Sequence, residues 1–154
     1  MRIDVLTLFT GMFQSPLSES IIKRAQHAGK LEVFLTDIRD FAENKHSKVD
    51  DKPYGGGPGM VMMPGPVFRS FEHVQNSCPT PGRVILLTPQ GQPFNQAKAI
   101  ELSKEQRLIL ISGRYEGFDE RIRVGLNAEQ ISIGDYVLTG GELAAMVIID
   151  AVTR

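Results

Sequence analysis

Glycine and proline concentrate at four places where the backbone could approach a bound molecule. One is the run Pro53-Tyr54-Gly55-Gly56-Gly57-Pro58-Gly59, and the other three are loops at residues 88–93, 112–117 and 134–141, each of which follows a short apolar run. Loops with few bulky side chains let backbone groups come close to a ligand. A single loop of this kind is explained by the needs of a turn. Three together favour a ligand site.

The common signatures of phosphate binding are missing. The chain contains no G-x-x-x-x-G-K-[ST] motif, and no G-x-G-x-x-G follows its first apolar run. Its three histidines, at positions 27, 46 and 73, lie far apart and have no partner at metal-ligand spacing, so no metal site is indicated. What remains is a glycine-lined pocket suited to a nucleoside with a small polar tail. Backbone groups of Ile133 to Leu138 could bond an adenine edge.

Short apolar, β-branched runs alternate with helical patterns and predict the elements that position these loops. We expect Ser18 to cap the first helix, Gly29 to follow it, and Asn95 to cap a later helix. Strand followed by helix, repeated along the chain, predicts an α/β fold with a mainly parallel sheet and flanking helices. The strands are predicted at 3–8, 31–38, 83–87 (stopped by Thr88-Pro89), 107–111 and 128–133, and the helices at 20–28, 66–74, 95–103, 119–124 and 142–152. The glycine loops would then share the carboxyl edge of the sheet, where ligands bind.

Composition limits the class of protein. A chain of 154 residues is about one domain, and 42% hydrophobic with 23% charged residues excludes a disordered or low-complexity chain. A net charge of −1 means that any nucleic acid would be bound through a local patch. The single cysteine, Cys78, fits a reducing compartment, and no apolar run reaches the ~18 residues of a membrane helix. We expect a soluble, cytoplasmic, globular protein.

Three long motifs carry a resemblance to a known family. Lys52-Pro53-Tyr54-Gly55-Gly56-Gly57-Pro58-Gly59-Met60, the segment from Ser112 to Arg121, and Ser132-Ile133-Gly134-Asp135-Tyr136-Val137-Leu138-Thr139-Gly140-Gly141-Glu142 closely resemble the bacterial tRNA (guanine-N1)-methyltransferases. The resemblance covers the whole chain in order. It implies the SPOUT methyltransferase fold, an α/β sheet with a C-terminal trefoil knot. Nothing in the hydrophobic periodicity indicates a knot, and protein chains in general avoid one.

The resemblance also implies an activity, methyl transfer from S-adenosylmethionine to N1 of the guanosine next to the tRNA anticodon, at position 37. It implies tRNA and a second copy of the chain as partners, and it leaves a magnesium requirement open. Glu116 would lie near the amino group of the donor, and Arg154 would serve guanine O6 as the catalytic cation. The cofactor-binding residues carried over are Leu86, Leu87, Pro89, Gly113, Glu116, Ser132, Ile133, Gly134, Tyr136, Val137, Leu138, Gly140 and Gly141.

The family continues beyond the position of Arg154 into a linker and a helical tRNA-binding domain, and its general base lies in that linker. The resemblance therefore implies that residues 1–154 form the S-adenosylmethionine-binding domain, without the C-terminal domain. It assigns the role of base to no acid of this chain, neither Asp119 nor Asp135. We expect little methyl transfer from these residues alone.

Two other classes of protein remain as alternatives. A non-catalytic RNA-binding module would contact phosphates through Lys45, Lys48, Lys52, Arg114, Arg121 and Arg123, and it would not bind the adenosyl donor. The polar segment at 45–52 is either a solvated loop or a clamp over such a polyanion. A nucleotide-binding or nucleotide-hydrolysing α/β protein is disfavoured because both phosphate signatures are missing.

Overall fold

A computed structural model describes residues 1–154 of the chain. None of its helices combines the length and apolar character that crossing a membrane requires. Short 3₁₀ turns cover Thr10–Phe13 and Ile38–Phe41. The elements in chain order are β1 (Arg2–Thr7), α1 (Gln14–Leu17), α2 (Ser20–His27), β2 (Glu32–Asp37), β3 (Asp50–Asp51), β4 (Val61–Met62), α3 (Pro64–Asn76), β5 (Arg83–Pro93), α4 (Gln96–Leu102), β6 (Arg107–Ser112), α5 (Glu120–Leu126), β7 (Glu129–Ser132) and α6 (Glu142–Thr153).

Five of the strands form one sheet in the order β2-β1-β6-β5-β7, and all neighbouring strands in it are parallel. The predicted α/β architecture with a parallel sheet is therefore confirmed. Because the strands run in one direction, the segments that follow β5, β6 and β7 all leave the sheet at its carboxyl edge. β3 and β4 form a separate antiparallel pair that the sequence pattern did not predict.

Side chains along the central strands point alternately to the two faces of the sheet, and both faces are apolar. All six residues of β6 are buried, and successive residues point to opposite sides. Leu108 and Leu110 pack with Ile148 of α6 and with residues of α2 and α4, whereas Ile109 and Ile111 pack with residues of α3 and α5. The sheet is thus covered on both faces, which explains why its central strands are continuous apolar runs.

One of the two predicted helix caps is found. The side chain of Asn95 accepts a hydrogen bond from the Lys98 N–H at 3.0 Å and caps α4. The prediction for Ser18 was wrong, because its hydroxyl donates to the Gln14 carbonyl and so belongs to the end of α1. Glu19 precedes α2 without a side-chain cap. Gly29 has the positive φ, +64°, that a residue just after a helix adopts.

β5 is longer than its apolar run predicted. The strand was expected to stop at Thr88-Pro89, but it continues to Pro93 through a bulge between Leu87 and Gln92, and both of these residues pair with Ile131. Proline has no N–H to donate to a ladder, so the pairing is interrupted around Pro89. It resumes after residues 88–91 have looped out of the sheet.

A buried ion pair lies at the opposite, amino edge of the sheet. Arg107 is fully buried; its Nε donates to Asp4 at 2.8 Å, and its other nitrogens donate to the carbonyls of Val74, Cys78 and Thr80. Asp4 also accepts from Arg2. Each of the three guanidinium nitrogens thus donates at least one hydrogen bond, as a buried charge requires.

A second ionic cluster joins β5, β7 and α4. Arg83 contacts Glu101, Glu105 and Glu129 at 2.6–3.2 Å, and Lys98 contacts Glu129 at 3.0 Å. Burial by itself would raise the pKa of Glu129, but hydrogen bonds from Lys98 and Arg83 outweigh it and hold this pKa below its ordinary value.

We expect Glu129→Gln to lower the free energy of unfolding by about 1 kcal/mol at neutral pH. Because the folded-state pKa of Glu129 is depressed, its contribution is complete above the unfolded pKa of about 4.3 and is lost as pH falls through the folded value. Urea unfolding at pH 7 and pH 3 measures both effects. Glu72→Gln, at an exposed position, is the control, and a difference between the two variants that is the same at both pH values would contradict the assignment.

Candidate functional site

A cavity of about 290 Å³ opens at the carboxyl ends of β5, β6 and β7. Its wall comes from the loop in β5, the loop after β6, and the segment from β7 to the first turn of α6. The lining residues are Leu87, Thr88, Pro89, Gln90, Gly113, Arg114, Tyr115, Glu116, Gly117, Phe118, Ile131, Ser132, Ile133, Gly134, Tyr136, Val137, Leu138, Gly140, Gly141 and Ala144. Three segments distant in sequence therefore converge on one concave surface.

The structure brings the predicted cofactor-binding residues together, with one exception. Those lining the cavity are Leu87, Pro89, Gly113, Glu116, Ser132, Ile133, Gly134, Tyr136, Val137, Leu138, Gly140 and Gly141. Their role toward a cofactor stays a prediction, but their proximity is a structural fact.

The exception is Leu86, whose side chain the structure places outside the cavity. Leu86 is buried against the face that holds Ile109 and Ile111, whereas its neighbour Leu87 belongs to the opposite core. Successive side chains of a strand point to opposite faces, so both leucines cannot face the same cavity. The resemblance implied that both leucines contact the cofactor, whereas only Leu87 lines the cavity.

Arg154 does not reach the cavity of its own chain. It follows the last turn of α6, where its N–H donates to the Asp150 carbonyl, and it is exposed. The first turn of α6 lines the cavity at Ala144, and twelve helical residues span roughly 18 Å. Within one chain, the predicted cation and the predicted cofactor residues lie at opposite ends of this helix.

Several lining residues were not predicted individually. Thr88, Gln90, Tyr115 and Phe118 lie in or beside the loops that glycine content had singled out, so the loops themselves were the available signal. Ile131 and Ala144 lie in a strand and a helix, and nothing in their sequence context distinguishes them from core residues.

Glycine is required where two of these loops touch another part of the backbone. A Cβ at Gly91 would lie 2.5 Å from the backbone nitrogen and carbonyl carbon of Ile131. A Cβ at Gly141 would lie 2.8 Å from the Cα of Ser112, and the Gly141 N–H donates to the Gly113 carbonyl at 2.8 Å. The cavity exists in this form because these backbones can approach so closely.

The loop after β6 adopts strained backbone conformations. Tyr115 has φ of +63°, which non-glycine residues rarely adopt, and Gly117 has φ of +121°. Both line the cavity, and Tyr115 is about half exposed at its mouth. Strain of this kind concentrates at functional sites, where the surrounding structure holds it in place.

The glycine-rich run is attached to the same loop. The Glu116 N–H donates to the Met60 carbonyl at 2.9 Å, and the Met62 N–H donates to the Gly117 carbonyl at 3.0 Å. Gly59 has φ of +82°, and a Cβ there would lie 2.3 Å from the Cγ of Glu116. The segment that includes Gly59 therefore packs beside the predicted donor-binding carboxylate.

Carboxylates pair with most of the cations considered for phosphate contact. Lys48 lies 3.7 Å from Asp51, Arg114 lies 3.1 Å from Glu142, Arg121 lies 2.8 Å from Asp119, and Arg123 pairs with Glu120. Lys45 and Lys52 have no carboxylate partner. The six cations therefore do not form a continuous free positive surface.

Asp119 is not suited to act as a base. Its carboxylate accepts hydrogen bonds from the Arg121 backbone N–H at 2.9 Å and from the Arg121 Nε at 2.8 Å, and it caps α5. The Arg121 side chain is the main reason why the pKa of Asp119 lies below its ordinary value. A carboxylate held in this way is a weak acceptor for a further proton.

These features define an α/β protein with a mostly apolar, glycine-lined cavity at the carboxyl edge of a parallel sheet. A family model described as tRNA (Guanine-1)-methyltransferase TrmD matches residues 1–154. The chain belongs to this tRNA (guanine-1)-methyltransferase family.

Individual relatives agree with the family assignment. The chain is 60% identical over 154 residues to a tRNA (guanine-N(1)-)-methyltransferase of Geobacillus kaustophilus and 59% identical to one of Chloroflexus aggregans. It covers 63% and 60% of those proteins, so it spans less than two thirds of their length. The crystal structure of tRNA (m1G37) methyltransferase from Aquifex aeolicus matches with a TM-score of 0.91 at 40% identity, over all of this chain and 69% of that one.

We expect Gly91→Ala to lower the free energy of unfolding by about 1–3 kcal/mol, because the added methyl group meets immobile backbone and not a flexible side chain. Gly11→Ala is a matched control, since a Cβ there has no neighbour within 4 Å. Thermal and urea unfolding of the two variants measure the difference. Equal stabilities of the two variants would contradict a close contact between Gly91 and the Ile131 backbone.

Proposed function

We propose that this chain forms the S-adenosylmethionine-binding part of an enzyme that methylates N1 of guanosine in tRNA, at position 37 beside the anticodon. The observation that carries the proposal is the cavity that three glycine loops build in a chain of the tRNA (guanine-1)-methyltransferase family. The reaction takes place in the cytoplasm, where a tRNA-modifying enzyme meets its substrate.

The lining residues suit an adenosyl donor. Leu87 and Pro89 form one wall, Gly113 and Glu116 a second, and the segment from Ile133 to Leu138 with the two following glycines a third. Apolar side chains can pack against the faces of an adenine while backbone groups bond its edge. The carboxylate of Glu116 is available for the positively charged amino group of the donor.

When bound, S-adenosylmethionine supplies a methyl group that is already activated on a sulfonium centre. The protein therefore has mainly to hold donor and acceptor in line. The loop with Tyr115 lines the cavity, and the glycine run contacts this loop where Gly59 lies against Glu116.

Guanine N1 carries a proton at neutral pH, so the reaction requires a general base and a positive group near O6. We assign the positive group near O6 to Arg154. We assign the general base to no carboxylate of this chain, and Asp119 in particular is engaged by the Arg121 side chain. Arg154 lies at the far end of α6 from the cavity, so it would serve a site to which a second copy of the chain contributes.

A homodimer is supported by apolar residues that the single chain leaves exposed. Leu143 and Val147 of α6 are each nearly half exposed, and Ile21 of the adjacent α2 is more than half exposed. Val137, in the cavity loop, is 85% exposed. Apolar surface beside a functional site is typical of a subunit interface.

We also propose the trefoil knot of the SPOUT proteins for the C-terminal part of this chain. Gly91, in the looped-out part of β5, lies against the backbone of Ile131, and Gly141, just before α6, lies against that of Ser112. Such contacts support a path in which the chain after β7 threads between the two earlier loops.

Calorimetric titration of the 154-residue chain tests the donor site. We expect saturable one-site binding of S-adenosylmethionine and none of ATP. Glu116→Gln removes the charge that meets the donor's ammonium group, so its affinity should fall about tenfold. Glu72→Gln makes the same change in net charge at an exposed position outside the cavity and should bind as the unmodified chain does.

Binding of ATP in preference to the adenosyl donor would favour a nucleotide-binding protein instead. Binding of tRNA with no affinity for S-adenosylmethionine would favour the non-catalytic RNA module. An equal loss of affinity in both glutamate variants would remove Glu116 from the proposed site.

The acceptor is tested with a chimera in which residues 1–154 are followed by the remaining part of the Geobacillus kaustophilus relative. We expect it to methylate a tRNA transcript with guanosine at position 37 and not one with adenosine there. Nuclease digestion and mass spectrometry should identify N1-methylguanosine. A chimera that binds the donor and tRNA but yields a different methylated nucleoside would overturn the proposed acceptor atom.

A further inference from the structure

A fully buried carboxylate lies behind the cavity without lining it. Glu142 is the first residue of α6 and has no solvent exposure. One of its oxygens accepts the Thr7 hydroxyl at 2.9 Å, and the other accepts the Nε–H of Arg114 at 3.1 Å. Its position in the first turn of a helix also favours a negative charge. The carboxylate thus joins the end of β1, the loop after β6 and the start of α6.

Arg114, the partner of Glu142, is held on several sides. Its guanidinium carbon lies 4.3 Å from the centre of the Phe9 ring, and its NH2 group lies 3.4 Å from the sulfur of Met12. Arg114 lines the cavity between Gly113 and the strained Tyr115. The ion pair therefore fixes the side chain in the middle of this loop.

The second cavity loop is pressed against the same ion pair. A Cβ at Gly140 would lie 2.3 Å from Arg114 Nε and 2.4 Å from a Glu142 carboxylate oxygen. The next residue, Gly141, donates its N–H to Gly113. Since Gly140 rests on the pair and Gly141 bonds to the β6 loop, the two loops share one buried electrostatic contact.

We propose that Glu142 is a positioning residue that orders the two cavity loops, at 113–117 and 140–141, and so sets the affinity for the donor without touching it. The assignment rests on the proposed function for the identity of the ligand. Thr7 orients the carboxylate from the end of β1. Glu142 acts through Arg114 and Gly140, both of which line the cavity.

Glu142→Gln tests this role, because it keeps the size of the side chain but leaves Arg114 without a counter-charge. Hydrogen exchange of the chain without ligand should show faster exchange of the Gly117 and Gly141 amides, by roughly tenfold, through local opening of the loops. Affinity for S-adenosylmethionine, measured by calorimetry on the folded protein, should fall by about tenfold.

Asp4→Asn is the matched control. It leaves another buried arginine, Arg107, with a neutral partner, but at the opposite edge of the sheet. It should lower overall stability while Gly117 and Gly141 keep their exchange rates and the donor affinity is unchanged. A merely structural role for Glu142 would give the same result as this control.

Thr7→Val provides a milder variant should Glu142→Gln fold poorly. It removes the hydroxyl that orients the carboxylate, whereas Thr7→Ser retains it, so exchange at Gly141 should be faster in the first and unchanged in the second. The inference is overturned if Glu142→Gln and Thr7→Val affect the loop amides no more than Asp4→Asn does. It is also overturned if loop exchange accelerates while donor affinity stays constant.

The two proposals fail in different ways. If the unmodified chain does not bind S-adenosylmethionine, the proposed donor site is wrong, and hydrogen exchange of the unliganded chain still decides whether Glu142 orders the loops. The unmodified chain could instead bind the donor while the loop amides exchange at the same rate in Glu142→Gln, Thr7→Val and Asp4→Asn. The donor site then stands, and the role proposed for Glu142 is wrong.

Discussion

The single direction of the five strands is the constraint on which the site depends. Because β5, β6 and β7 are parallel neighbours, the loops that follow them leave the sheet at one edge and within reach of one another. An antiparallel neighbour would have sent one of these loops to the opposite edge. Burial of both faces by helices permits such a sheet, and continuous apolar strands such as β6 are the result.

The parallel direction of β5, β6 and β7 by itself would give three neighbouring loops but not a cavity of this form. Close backbone contacts complete it, Gly91 against Ile131 and Gly141 against Ser112, and a side chain at either glycine would force the segments apart. The looped-out residues of β5 also contribute to the form of the cavity. Proline interrupts the ladder locally, and three of the four residues that loop out, Thr88, Pro89 and Gln90, line the cavity.

Buried charge is placed at both edges of the sheet, with different surroundings. At the amino edge, Arg107 is satisfied by Asp4 and by three backbone carbonyls, and the contact is remote from the cavity. At the carboxyl edge, Glu142 and Arg114 join segments that form the cavity wall. A buried pair is weak evidence for stability, because desolvation offsets most of its attraction, and its clearer effect is to fix which groups meet.

Hydrophobic periodicity, the asparagine cap and the glycine-rich loops were sufficient to predict the α/β class, the order of the main strands and helices, and the edge of the sheet where a site would form. These features follow from local physical chemistry: alternation, propensity and backbone freedom act over a few residues. The three long motifs also contain fourteen of the twenty residues that line the cavity.

Local patterns of residues thus establish which segments are strands, which are helices and which loops can approach a ligand. The packing of distant segments sets the other features: Leu86 turns away from the cavity while Leu87 faces it, β5 resumes after its bulge, and Arg154 lies far from the cavity of its own chain. This packing alone pairs Glu142 with Arg114 and Thr7, residues 28 and 135 positions away. The reason is physical: a side chain's direction and its partner depend on how distant segments pack, and no pattern of neighbouring residues records that packing.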